Sequence, residues 1–172
     1  QQMHSLPNEL LSHKPAPEKW SAVECIEHLN LTHDVYLPNM QQAIQKAKHH
    51  NWLARPTFKP GFLGEKMAKG MRPSEEGEMG MRLKTAKKIA PAIADIDIEA
   101  VFAQFYKQHQ ALLQAAEEAR TVDLQKARVT SLFGPIVRFR LGDAFRIIAA
   151  HDARHLLQAE RAVESAKEII DD

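Results

Sequence analysis

The sequence predicts an all-α fold built as a bundle of long helices, and three observations predict it. Apolar residues recur at helical spacing in three long stretches, helix-start signals stand where those stretches open, and strand-like alternation is poor. The length of 172 residues suits a single domain, residues 1–172, with one sizeable core. Apolar residues at 44% and charged residues at 26% are ordinary for a soluble globular protein.

The first long helix is expected from Ser21 towards Lys48. Ser21-Ala22-Val23-Glu24 fits a capping box, in which the hydroxyl and the carboxylate satisfy free N–H groups at the helix start. Pro15 and Pro17 fit an extended lead-in, and Trp20 is placed for a hydrophobic staple. Pro38 removes one backbone donor and marks a site for a kink. Residues 51–96 read as a long irregular connection, broken by Pro56, Pro60, Pro73 and Pro91 and by several glycines, with a short helix around Leu63–Lys69. A connection of this length is more often functional, or a flap, than idle.

The second long helix is expected from Ile98 to Arg120, with Asp95 or Asp97 as its cap. Val101, Phe105, Leu112 and Ala116 give it an apolar stripe. The third runs from Gly142 to about Ile169. Its seam reads Leu141, Ala144, Ile148, His151, His155, Gln158, Ala162, alternating by three and four like the core-facing line of a bundle. The two histidines on that seam therefore face inward, where an unpaired polar group is costly.

Charge and composition exclude several functions. Twenty-three basic against 22 acidic residues leave a net charge of +1, without the basic excess of a nucleic-acid binder. The apolar runs are far shorter than the roughly 20 residues that span a bilayer. No charged-then-apolar segment opens the chain, and the single cysteine, Cys25, has no partner for an internal disulfide, so a cytoplasmic setting is expected. No glycine-rich phosphate loop, Ser/His/Asp arrangement, CxxC or calcium loop can be read.

His151 and His155 carry the strongest chemical signal. A spacing of four places both imidazoles on one helix face, about one turn (~5.4 Å) apart, within reach of one metal ion. A catalytic metal site usually has three protein ligands and an open position, and His28, in the second turn of the Ser21 helix, is the best third candidate. The plainer explanation is a chance pair among nine histidines, satisfied in the core or lying at the surface. Cys25 is a candidate fourth ligand or redox residue, against the role of a small buried apolar side chain. Gln158, one turn beyond His155, could hydrogen-bond a ligand histidine or a metal-bound water, or simply satisfy backbone. His151-Asp152-Ala153-Arg154-His155 invites comparison with H-E-x-x-H proteases, but Asp152 is one methylene too short for their Glu base. It reads better as a helix-surface charge or a group behind the ligands.

Taken together, several of these motifs resemble the DinB-like superfamily (DinB/YfiT-like metalloenzymes). The resemblance is carried by Trp20-Ser21, Glu27-His28-Leu29, Leu132-Phe133-Gly134 and His151-x-x-x-His155-x-x-Gln158, and by the segment Lys84–Pro91 before the family's third helix. It covers about residues 15–165. It implies a four-helix bundle of up-down-down-up type, with a divalent metal held by His28, His151 and His155. It also implies a dimer, and a small-molecule substrate, with a low-molecular-weight thiol as co-substrate in the transferase members. The family's first helix precedes its Trp-Ser motif by a full bundle length. Only 19 residues precede Trp20 here and Pro7, Pro15 and Pro17 lie among them, so a short or missing first helix is expected. A partner chain or the 51–96 connection would then cover the exposed core face.

Two functions follow for such a site. One is a metal-dependent enzyme, either a thiol-dependent S-transferase or a hydrolase, with zinc or nickel as the expected ion and manganese or iron as alternatives. Its general base is not identified; Glu24 is the nearest candidate, and its capping role competes. The other is a non-catalytic metal-binding bundle with a structural, storage or sensing role.

Overall fold

The computed structural model describes residues 3–78, 80–81, 85–91 and 96–170. In chain order its elements are α1 (Asn8–Ser12), α2 (Ala22–His49), α3 (Phe62–Met71), α4 (Ile98–Ala119), β1 (Arg128–Ser131), β2 (Gly134–Arg140) and α5 (Leu141–Ile170), with short 3-10 turns at Met3–Ser5 and Lys87–Ile89.

The helix starts obey local rules. Ser21 Oγ accepts the Glu24 N–H at 3.3 Å and the Glu24 carboxylate accepts the Ser21 N–H at 2.8 Å, so the capping box of α2 is complete. The helix continues through Pro38. Asp97 caps α4 by accepting the Ala100 N–H at 3.0 Å; Asp95, the other candidate, lies outside the described residues, as does Lys84. The short helix expected around Leu63–Lys69 is α3, slightly longer at both ends.

Helix α2 is central and packs against both α4 and α5. Side-chain bonds show that α2 and α4 run in the same direction: Asn30 donates to the Val101 carbonyl, Gln108 donates to Asp34, and Lys48 pairs with Glu118. One core cluster joins Val23, Ile26 and Leu29 to Phe102, Phe105 and the late α5 residues Ala159 and Val163. Another joins Met40 and Ile44 to the early α5 residues Leu141 and Ile148. Opposite ends of α2 and α5 thus share a core, and α5 runs against α2.

The all-α expectation needs a correction. The described residues are mostly helical, but β1 and β2 form a small antiparallel hairpin just before α5. Its register pairs Val129 with Phe139, both buried, and Arg128 with Arg140, with a bulge between Thr130 and Ser131. Gly134 takes a φ of +104°, a conformation that favours glycine, and so permits the turn. The alternation was hidden by the arginines on the outer face and by Pro135, so Arg128–Arg140 read as irregular.

Among the described residues, the only α-helix ahead of α2 is the five-residue α1. Its Leu11 is fully buried against α2 and α5. Within the 51–96 connection, α3 packs on α5. Contact is close because Gly64 lacks a side chain: a Cβ there would lie 2.3 Å from Cγ of the buried Asp143. The same carboxylate accepts the Gly61 N–H at 2.8 Å, and Arg146 bridges it to Glu65 on α3. That arrangement sets the distance between α3 and α5, and the space left between them becomes the site described next.

Candidate metal centre

Helix α2 presents His28, Thr32 and Tyr36 at successive spacings of four, so all three point the same way. Helix α5 answers with Ile147, Ile148, His151, Arg154, His155 and Gln158. These two stripes face a pocket of about 470 Å³.

At its base, ligand nitrogens of His28, His151 and His155 all lie within 4.8 Å of one another. The rings sit 4.4 Å (His28–His155), 4.5 Å (His151–His155) and 5.0 Å (His28–His151) apart between centroids. His28 Nδ1–H donates to the Ile89 carbonyl at 2.6 Å, which places the proton on Nδ1 and leaves Nε2 with a bare lone pair. His155 Nδ1–H donates to Gln158 Oε1 at 3.1 Å with the same result. His28 Nε2 and His151 Nε2 are 3.1 Å apart. Two nitrogens bound to one ion at about 2.0–2.1 Å in a tetrahedron stand roughly 3.3 Å apart, so this spacing fits a shared ion. His151 Nδ1 is buried without a partner.

Electrostatics keeps these groups neutral. Burial pushes His28 below its ordinary value, although the bond to Ile89 works against it. Burial also pushes His151 well down, helped by the neighbouring His155, His28, His33 and Arg154. His155 falls to about 3, first through burial and then through His28 and Arg154. Neutral imidazoles with inward lone pairs are what a divalent ion requires, and the donor set suits zinc, nickel or iron.

The DinB superfamily sequence model matches residues 1–159, which include all three histidines and Gln158. The chain belongs to the DinB superfamily. No curated protein and no solved structure matches it. The DinB-like motif residues sit where their chemistry can converge: Trp20 lies tilted against the cluster, its ring 4.8 Å from that of His28 and 5.8 Å from that of His155. It packs as part of the site and not only as a staple.

Other candidates in this DinB-superfamily chain separate clearly. Cys25 lies outside the histidine group, fully buried among apolar side chains, and burial pushes its thiol up to about 12. Glu24 is spent on its cap and on Lys14, 2.8 Å away. Burial would raise its carboxyl, but bonds from Lys14 and Ser21 outweigh that and hold it below the ordinary value. It does not line the pocket. Asp152 is not a surface charge. It is buried and accepts His33 Nε2–H at 3.0 Å, tying α5 to α2. His49 and His50 sit exposed at the end of α2, and His4 bonds Tyr106 far from the site in sequence.

Several pocket residues escaped sequence reasoning. Thr32 and Tyr36 were findable, since they continue the His28 spacing along a helix already expected. Arg154 was findable too, between two marked histidines. Met67 lies on the expected short helix and Met71 at the end of α3, but nothing in the sequence showed which way that helix faces, and Met81 comes from the irregular part of the connection.

Proposed function

We propose that this protein is a divalent-metal-dependent enzyme, and specifically a thiol-dependent S-transferase acting on a small electrophile. The observation that carries the reading is the convergence of three neutral imidazoles, two of them held in a tautomer with a bare Nε2, in a pocket of about 470 Å³. His28, His151 and His155 would hold the ion, and it would supply Lewis acidity, lowering the pKa of a thiol or a water that takes its open position.

The protein's own groups support transfer over hydrolysis. Glu18, exposed at the surface, is the sole carboxylate among the described pocket-lining residues, so few groups stand ready to take a proton from water. A thiol needs less help, because its ordinary pKa is only about 8.5. Cys25 is sealed in the core, so the thiol has to arrive as a co-substrate. In the reaction the new bond joins the thiol sulfur to the electrophilic carbon. The bond to the leaving group breaks, the leaving group takes the electron pair, and the thiol proton passes to solvent. Ile89 and Gln158 hold two of the imidazoles in one tautomer, and Trp20 shields the cluster from water on one side.

The reading extends to the family's up-down-down-up bundle, with α1 as the short first helix; the shared direction of α2 and α4 and the reversal at α5 support that order. It also includes zinc or nickel as the ion, a homodimer, and a reducing, cytoplasmic setting suited to a thiol co-substrate.

Elemental analysis of purified protein should find about one zinc or nickel per chain, lost in the His151→Ala variant. The loaded protein should consume an electrophile only when a small thiol is supplied, and His155→Ala should abolish that turnover. Failure to bind metal after reconstitution would overturn the reading. Hydrolysis of ester or amide probes without thiol would replace transferase by hydrolase. Bound metal with no turnover of either kind would make the protein a non-catalytic binder.

A further inference from the structure

The chain is nearly neutral as a whole, but its charge is unevenly spread. Residues 50–64 and 124–142 contain Arg55, Lys59, Lys126, Arg128, Arg138 and Arg140 and no aspartate or glutamate. The fold lays these two stretches side by side. Leu53 bridges to Val122, Gln125 Nε2 donates to the Thr57 carbonyl at 3.3 Å, and Arg140 donates to the Lys59 carbonyl. The acids that border the stretches in sequence do not neutralise them. Asp123 is buried and pairs with Arg55, Glu65 pairs with Lys69 and Arg146, and Asp143 is buried. Among the described residues Lys59, Lys126, Arg128, Arg138 and Arg140 form no ion pair. Arg128 and Arg138 donate only to the nearby carbonyls of Gln125 and Pro135.

Bulky apolar side chains stand out among these cations. In β2, Ile136, Arg138 and Arg140 alternate on the side of the hairpin away from buried Phe139, and Arg128 lies opposite Arg140. Ile136 is 95% exposed, Phe62 is 88% exposed and Leu53 is 74% exposed. Phe62 follows Lys59 by three residues at the start of α3, so it borders Arg140. Apolar groups this exposed, set among cations, form a surface that suits a partner both anionic and apolar.

We propose that this face docks the protein on an anionic lipid bilayer, with Ile136 and Phe62 entering the headgroup region and the arginines meeting lipid phosphates. Among the described residues no helix is long and apolar enough to cross a membrane, so the contact is peripheral. A second copy of the same face would be repelled by its five free cations. Single-stranded nucleic acid fits less well, since Ile136 and Leu53 carry no ring on which a base could stack.

The test is co-sedimentation of the full chain with vesicles of phosphatidylcholine alone or with about one third phosphatidylserine. The protein should sediment with the anionic vesicles and stay in solution with the neutral ones, and salt raised to about 1 M should release it. Arg128→Gln and Arg138→Gln should each weaken binding about fivefold, whereas Arg138→Lys should keep most of it, which separates charge from the bond to Pro135. Ile136→Ser and Phe62→Ser should each weaken binding about tenfold with no change in net charge. Lys107→Gln, on the exposed side of α4, should have no effect, and circular dichroism should show every variant folded. Equal binding to both vesicles, binding to neither, or binding that survives the two serine substitutions would each overturn the proposal. Capture of a single-stranded oligonucleotide in place of vesicles would overturn it in favour of nucleic acid. These readouts need neither metal nor turnover, so their failure would leave the metal reading standing, and loss of metal would leave them decisive.

Discussion

Mild acid should destabilise the metal-free protein through its histidine cluster, before its carboxylates titrate. In the unfolded chain each imidazole takes up a proton near its ordinary value of about 6.5. In the folded protein burial holds His151 well below that value and His155 at about 3, with His28 also lowered. The folded value lies below the unfolded one, so the full stability is present above about pH 6.5 and is lost as the pH falls. Each such imidazole then contributes a slope of about 1.4 kcal/mol per pH unit. By about pH 5 His155, which stays neutral when folded, has cost roughly 2 kcal/mol, and His151 adds to the loss in the same direction. That is a large share of the roughly 5–15 kcal/mol that stabilises a typical domain.

Urea midpoints of chelator-treated protein, followed by circular dichroism between about pH 7.5 and about pH 5, measure this directly. The midpoint should hold steady down to about pH 7 and then drop. The His155→Leu variant removes one titrating group and should lose about 2 kcal/mol less over the same interval. A flat wild-type profile, or a variant as acid-sensitive as the wild type, would refute the assignment of the loss to buried neutral imidazoles.

Three further outcomes are expected. His33→Ala should cost about 3–5 kcal/mol in urea unfolding, because it strands the buried Asp152 carboxylate, whereas Asp152→Asn, which still accepts the His33 N–H, should cost clearly less; equal losses would refute the pairing argument. Gly64→Ala should lower stability by about 1–3 kcal/mol, since the new Cβ would press on buried Asp143, and an unchanged melting temperature would show that α3 can yield. Ser21→Ala should cost about 1 kcal/mol by opening the capping box of α2, with little effect expected from a matched change at exposed Ser74.

Legibility followed local physics. The start of α2 was readable because Ser21 and Glu24 close their bonds within one turn, and the histidine pair because a helix fixes what a spacing of four means. His28 could be joined to that pair only by assuming that two helices face one another. The hairpin was not readable. Its burial alternates in β1, but Val129 and Phe139 are the few apolar marks among arginines, and what makes them a strand is the α2 and α5 surface they cover. The surface-charge alternative for Asp152 failed for a similar reason. A charged residue beside a seam reads as solvent-facing until its partner, His33, arrives from 119 residues away. The methionine wall depends on how the connection folds back over α5, a long-range outcome that no window of sequence encodes.

Under the proposed function, that connection would join the metal site to the rest of the pocket. Ile89, in the 3-10 turn Lys87–Ile89, supplies the carbonyl that fixes His28 in its metal-ready tautomer, and it also lines the pocket. Met81, in the same connection, lines the pocket and accepts the bond from Arg154. A molecule entering between the methionines and Arg154 therefore touches the segment that orients a ligand histidine. His155 is oriented differently, by Gln158 on its own helix, and that bond survives any movement of the connection. The two halves of the site should then respond unequally. His151 and His155 are held by rigid α5, while the contribution of His28 depends on the placement of Ile89. Under the proposed function, occupancy of the pocket would then be coupled through Ile89 to the affinity of an ion held by His28, His151 and His155.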